Sequence, residues 1–127
     1  LRYVTSEQIP EILDLAVMDV SFISIKLVLP AVKQLLRENA DIICLIKPQF
    51  EAGRENVGKG GIVKNRSVYK RIIADLSESA LAHSLTLTRL TVSPIKGGDG
   101  NTEFLGLFER KGKEISLIDI SDTVDNL

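Results

Sequence analysis

Residues 14–47 read DLAVMDVSFISIKLVLPAVKQLLRENADIICLIK, and the order of apolar runs within them decides the fold. Asp14–Val20 (DLAVMDV) is a short apolar run closed by Asp19, the signature of a strand buried on both faces. Leu27–Arg37 places Leu29, Val32, Leu35 and Leu36 at helical spacing. Pro30 fits such a helix only near its start, because the ring and the missing N–H break a helix interior. Asp41–Lys47 (DIICLIK) then repeats the first run: an Asp, continuous β-branched apolar residues, and a charge at the end. Roughly 20 residues lie between the two strands and contain the helix, as a right-handed parallel crossover requires.

Upstream, Leu1–Val4 reads as the remnant of a strand, and Thr5 or Ser6 caps a short turn reaching Ile9-Pro10. Downstream of Lys47-Pro48 the chain is glycine-rich as far as Gly61. A helix over Ser67–Ala82 follows, with Val68, Ile72, Ile73, Leu76 and Ala80 on one stripe and Asn65 as its cap. Thr86–Val92 and Glu103–Arg110 have strand character, and the turn formers of KGGDGNT (96–102) between them predict antiparallel neighbours. The order is β-α-β-α-β-β: an α/β fold in which parallel strands end in an antiparallel hairpin. That is about half of a doubly wound, Rossmann-like domain. Residues 1–111 form this partial domain and 112–127 an acidic tail. The chain opens on Leu1, as a piece of a longer polypeptide would.

Composition narrows the class. The 127 residues are 44% hydrophobic and 26% charged, with a net charge of −1, which describes a globular domain rather than a disordered or disulfide-built one. The longest strongly apolar run, Ile42–Ile46, is far shorter than the roughly 20 residues of a membrane-spanning helix. Cys44, the single cysteine, lies within that run and reads as a small buried hydrophobe in a reducing, cytoplasmic setting. The charge is uneven. Between Lys47 and Arg71 stand seven basic residues and two acidic ones, whereas Glu114–Leu127 has four acids and no base. A basic middle is an electrostatic footprint for phosphates, although solvated helix faces produce the same pattern.

Ligands of open parallel sheets bind at the carboxyl ends of the strands, where this sequence places Asp19 and Lys47. Alone, Asp19 caps a turn and Lys47 carries its ammonium out of the core. On adjacent parallel strands they meet at one edge; Glu103, opening the last strand, either reaches that edge too or is an ordinary exposed strand residue. Residues 53–60 (GRENVGKG) nearly match the phosphate-cradling G-x-x-x-x-G-K-[ST] loop, but Gly60 lacks the hydroxyl and no strand leads directly in. The glycines fold a surface loop instead, leaving Arg54, Lys59, Lys64 and Arg66 for a backbone phosphate. His83 has no Cys or His partner and is no metal ligand.

The stretches DLAVMDVSFIS, IKPQFEAGRENVGKGGIV and SPIKGGDGNTEFL together resemble the TlyA, or hemolysin A, family. These are S-adenosylmethionine-dependent rRNA 2′-O-methyltransferases related to the FtsJ enzymes. The resemblance spans residues 1–111. It implies a Lys-Asp-Lys-Glu tetrad of which Asp19, Lys47 and Glu103 are the last three members, the first lysine and the glycine-rich cofactor loop lying upstream of Leu1. It further implies that Tyr3 and Asp19 border the cofactor pocket, and that the chain carries the carboxyl-terminal part of the catalytic domain, inactive alone. Ribosomal RNA is the implied partner, and nothing in the chain is suited to insert into a membrane. Sheet edges left open invite self-association.

Methyl transfer from a sulfonium to a ribose hydroxyl is an in-line displacement, to which positioning and a proton acceptor contribute. In the implied mechanism Lys47 engages the 2′-hydroxyl while Asp19 and Glu103 orient the lysine and the substrate. Two other readings stand beside this one: an RNA-binding or ribosome-associated module that kept the surface without the chemistry, and a nucleotide-hydrolysing fragment built on GRENVGKG.

Overall fold

A computed structural model describes residues 3, 5–98 and 100–127. Leu1, Arg2 and Val4 lie outside the described residues, so the strand remnant expected over Leu1–Val4 is not addressed. Strand β1 (Leu13–Met18) leads through helix α1 (Ile25–Lys33) to strand β2 (Leu36–Ile46). A single helical turn, α2 (Pro48–Glu51), and two 3-10 turns precede the long helix α3 (Arg66–Ala82), after which come β3 (Thr86–Val92), β4 (Phe104–Glu109) and α4 (Leu117–Asp125). The β-α-β-α-β-β succession holds, with α4 added at its end.

The sheet order is β1-β2-β4-β3. β1 and β2 are parallel, with Met18 beside Cys44. β4 is antiparallel to both β2 and β3, and it lies between them: Ile46 pairs with Phe104 on one side and Val92 pairs with Phe104 on the other. The expected antiparallel pair is thus present, with its second strand inserted toward the middle of the sheet. A right-handed crossover explains the parallel pair, because α1 must return the chain to the same end of the sheet.

All three longer helices contribute to one core. Ile42, Cys44, Ile46, Phe104 and Phe108 from the strands join Ile25, Val28 and Leu29 of α1, Ile72, Ile73 and Leu76 of α3, and Ile120 and Val124 of α4. Burial pushes the Cys44 thiol up to about 12, which suits the inert packing role expected of it. Among the described residues nothing covers Val17, Leu15 and Ile43 on the opposite face of the sheet. Val17 is 72% exposed, Leu15 51% and Ile43 37%, so β1 is not buried on both faces as its sequence suggested. An apolar run reads alike whether its second face is covered or merely coverable, which is why the pattern misled.

Three further differences have local causes. α1 starts two residues earlier than the spacing indicated, because the Ser24 hydroxyl accepts from the Lys26 N–H and caps it there. Pro30 consequently falls inside the helix, and the Lys26 carbonyl loses its usual partner. Leu35 and Leu36, read as helical, lie at the entry to β2, where Leu36 pairs with Leu13. The acidic stretch 112–127 is no loose tail, since Ile120 and Val124 are 2% and 0% exposed within the common core. α3 meets its expectation closely: Asn65 accepts from the Ser67 N–H at 2.9 Å, a cap worth about 1 kcal/mol.

Candidate functional site

The carboxyl ends of β1 and β2 and the amino end of β4 share one rim. Asp19 follows β1, Lys47 follows β2, and Glu103 precedes β4, one residue beyond the paired Ile46 and Phe104. The Lys47 ammonium forms an ion pair with the Asp19 carboxylate and donates to the Ser21 hydroxyl at 3.2 Å. The Lys47 side chain is only 14% exposed and that of Asp19 62%, so the lysine stem is sheathed while the aspartate faces solvent.

Glu103 has its own hydrogen-bond partner at this rim. Gln49, two residues after Lys47, donates from Nε2 to the Glu103 carboxylate at 3.3 Å. The oxygen of the same amide, Oε1, is buried without a hydrogen-bond partner. Glu103 itself is 7% exposed, and a methyl group on Gly97 would come within 2.5 Å of its Oε2. A side chain at Gly97 would therefore push the Glu103 carboxylate out of its present position.

Two more contacts fix the rim. The Glu51 carboxylate accepts from the Ser24 hydroxyl at 2.6 Å and from the Ile25 N–H at 2.7 Å, tying the 19–24 loop to α2. Burial raises the Glu51 carboxyl above its ordinary range, against the pull of those two hydrogen bonds. Within the stapled loop Phe22 holds a φ of 63° and its ring lies 4.9 Å from that of Phe50. On the other side Asn101, 1% exposed, accepts from the Val63 N–H at 3.0 Å and donates to the Gly61 carbonyl at 2.9 Å. This side chain locks the glycine-rich segment to the turn that carries Glu103.

The structure thus brings Asp19 and Lys47 into contact and places Glu103 on the neighbouring strand at the same rim, hydrogen-bonded to Gln49. Arg54, Lys59, Lys64 and Arg66 are all exposed on the segment following Lys47. Arg54 lines a pocket with Gln49 and Phe50, whereas Lys64 and Arg66 line another with Lys96. GRENVGKG forms the two 3-10 turns and opens no helix directly, in keeping with the poor match to a phosphate-cradling loop. Tyr3 is not brought to the rim: it is 79% exposed and lines a pocket with Lys26, Pro30, Gln34 and His83 on the flank of α1. Ser21, Gln49, Gly97 and Asn101 escaped the sequence reading. Ser21 and Gln49 stand two residues from Asp19 and Lys47, which was the available signal; the role of Asn101 depends on a tertiary contact and left none.

Among the described residues no helix is long and apolar enough to cross a membrane, and no group of acidic, His and Cys side chains could hold a metal ion. Comparison with known proteins supplies the context. The chain is 36% identical over 124 residues to the "16S/23S rRNA (cytidine-2'-O)-methyltransferase TlyA" of Mycobacterium tuberculosis, covering 97% of this chain and 46% of that protein. It is 47% identical over 92 residues to "Putative rRNA methyltransferase YqxC" of Bacillus subtilis, covering 72% of this chain and 33% of the relative. The solved structure called "Putative hemolysin from Streptococcus thermophilus" superposes with a TM-score of 0.91 at 34% identity, over 98% of this chain and 46% of that one. The chain therefore spans between a third and about half of these relatives. Residues 2–110 match the FtsJ-like methyltransferase family, to which the chain belongs.

Proposed function

We propose that the chain is the carboxyl-terminal part of an S-adenosylmethionine-dependent rRNA 2′-O-ribose methyltransferase, and that Asp19, Lys47 and Glu103 are its catalytic residues. The observation that carries this reading is the Lys47–Asp19 ion pair at the strand ends, with Glu103 on the neighbouring strand one position beyond the Ile46–Phe104 pair. A lysine clamped by an aspartate and a serine presents its ammonium in one direction, which is what positioning a hydroxyl requires. Lys47 takes the 2′-hydroxyl as hydrogen-bond partner, Asp19 and Ser21 set the angle of the lysine, and Glu103 orients the ribose. In the transfer the methyl–sulfur bond would break as the O–C bond forms, the cofactor leaving as a neutral thioether and the hydroxyl proton passing to an acceptor at this rim.

S-adenosylmethionine supplies an electrophilic methyl group on a sulfonium cation. The solvent-facing Asp19 carboxylate is the group on this rim whose charge suits such a cation. The rest of the cofactor is met by polypeptide outside these 127 residues, so the chain alone is inactive.

The test is methyl transfer to ribosomal RNA by a longer protein that contains this chain. Lys47→Ala lowers kcat about 10²–10⁴-fold while the melting temperature stays near that of the parent. Unchanged turnover in Lys47→Ala would sink the catalytic assignment of Lys47, and RNA binding with no methyl transfer by the parent would favour the RNA-binding module. Tight ATP or GTP binding by the chain would instead favour nucleotide hydrolysis.

A further inference from the structure

Beyond the rim, segments distant in sequence converge on a cup of about 370 Å³. Its walls are residues 62–66, the turn through Lys96, Gly100 and Thr102, and the end of the chain at Leu127. Three cations line it: Lys64, Arg66 and Lys96. Among the described residues no hydrogen bond or ion pair engages Lys64 or Lys96. Arg66 donates to the main-chain oxygens of Asp125 at 3.2 Å and Leu127 at 3.5 Å, which aim the guanidinium. The nearby Asp125 carboxylate is taken up by Lys70, at 2.9 Å.

The cup is built rather than incidental. Asn101 bonds the first wall to the second from a fully enclosed position, and the Tyr69 hydroxyl donates to the Val63 carbonyl beneath them. Three like charges in one concavity raise its potential and repel one another, a cost that an anion removes. The amino end of the 17-residue α3 lies at the same place and adds the positive pole of its dipole. The Thr102 hydroxyl offers a neutral donor.

We propose that this cup is an oxyanion site that takes a phosphodiester of the RNA substrate, with Lys64 and Lys96 as its principal charges. The proposal rests on the reading of the chain as part of an RNA-modifying enzyme and adds Lys96 to the surface expected from sequence. Because Lys96 begins the turn that ends at Glu103, a phosphate held here registers the strand of RNA relative to the rim.

The experiment is binding of a fluorescent single-stranded RNA to the 127-residue chain, measured across a range of salt concentrations. The double variant Lys64→Gln with Lys96→Gln loses about tenfold in affinity, and the slope of log K against log salt becomes shallower by about 0.7, the release expected for one phosphate. Lys111→Gln with Lys113→Gln removes the same charge beyond the far end of β4 and leaves both quantities unchanged. An equal loss in both double variants would show only a net-charge effect and overturn the proposal. So would an unaltered slope in the first. Inorganic phosphate and ATP are run as separate arms: saturation by either at concentrations where RNA does not bind would reassign the cup to a free phosphate. Since no methyl transfer is measured, failure of the catalytic reading leaves this result standing, and the reverse also holds.

Discussion

The two faces of the sheet are made of the same kinds of residue and differ in what lies over them. On one, Ile42, Cys44, Ile46, Phe104 and Phe108 are at or near zero exposure beneath α1, α3 and α4. On the other, Leu15, Val17 and Ile43 meet solvent, and a shallow apolar depression runs over Ile43, Leu105 and Leu107. Alternate residues of one strand thus have opposite fates. Apolar content tells where a strand is; only the rest of the fold decides which of its faces contributes to stability.

That contrast can be broken most severely on the covered side. Phe108→Ala opens a cavity between β4 and the helices and should cost about 3–5 kcal/mol, read as a drop in urea midpoint at unchanged m. Ile120→Ala should cost about 2–4 kcal/mol, since the acidic C-terminal helix seals the same core. A loss below about 0.5 kcal/mol there would mean that α4 is peripheral after all. A smaller effect sharpens the picture at the junction between core and rim. The folded chain binds a proton at Glu51 more tightly than the unfolded chain does, so this group's contribution is complete below its ordinary value of 4.5 and is lost as pH rises through the raised one. Compared with Glu51→Gln, the parent should therefore gain melting temperature on mild acidification, and parallel curves would refute the burial effect. The smallest change is expected on the open side. Val17→Lys should alter stability by no more than about 0.5 kcal/mol while reducing the binding of an apolar fluorescent dye.

Much of the fold was legible because its signals are local. The α3 stripe and its Asn65 cap, the turn at 96–102 and the two parallel strands each announce themselves within a dozen residues. The insertion of β4 between β2 and β3, the docking of α4 and the bareness of one face are decided by contacts between distant segments, and no window of sequence contains them. The meeting of Asp19 and Lys47 was legible because both stand at the ends of adjacent parallel strands. Gln49 was missed because a glutamine after Lys-Pro has no pattern of its own; its meaning comes from Glu103, 54 residues away.

The position of β4 also bears on how the molecule is made. β2 has its second neighbour only when residues 104–108 arrive, some sixty positions after β2 itself, and among the described residues β3 pairs only with β4. During synthesis both strands must wait with bare hydrogen-bonding edges until residues 104–109 have emerged. Pairings this far apart close slowly, so the interval before β4 slots home is the time at which the nascent chain is most exposed to capture by its neighbours.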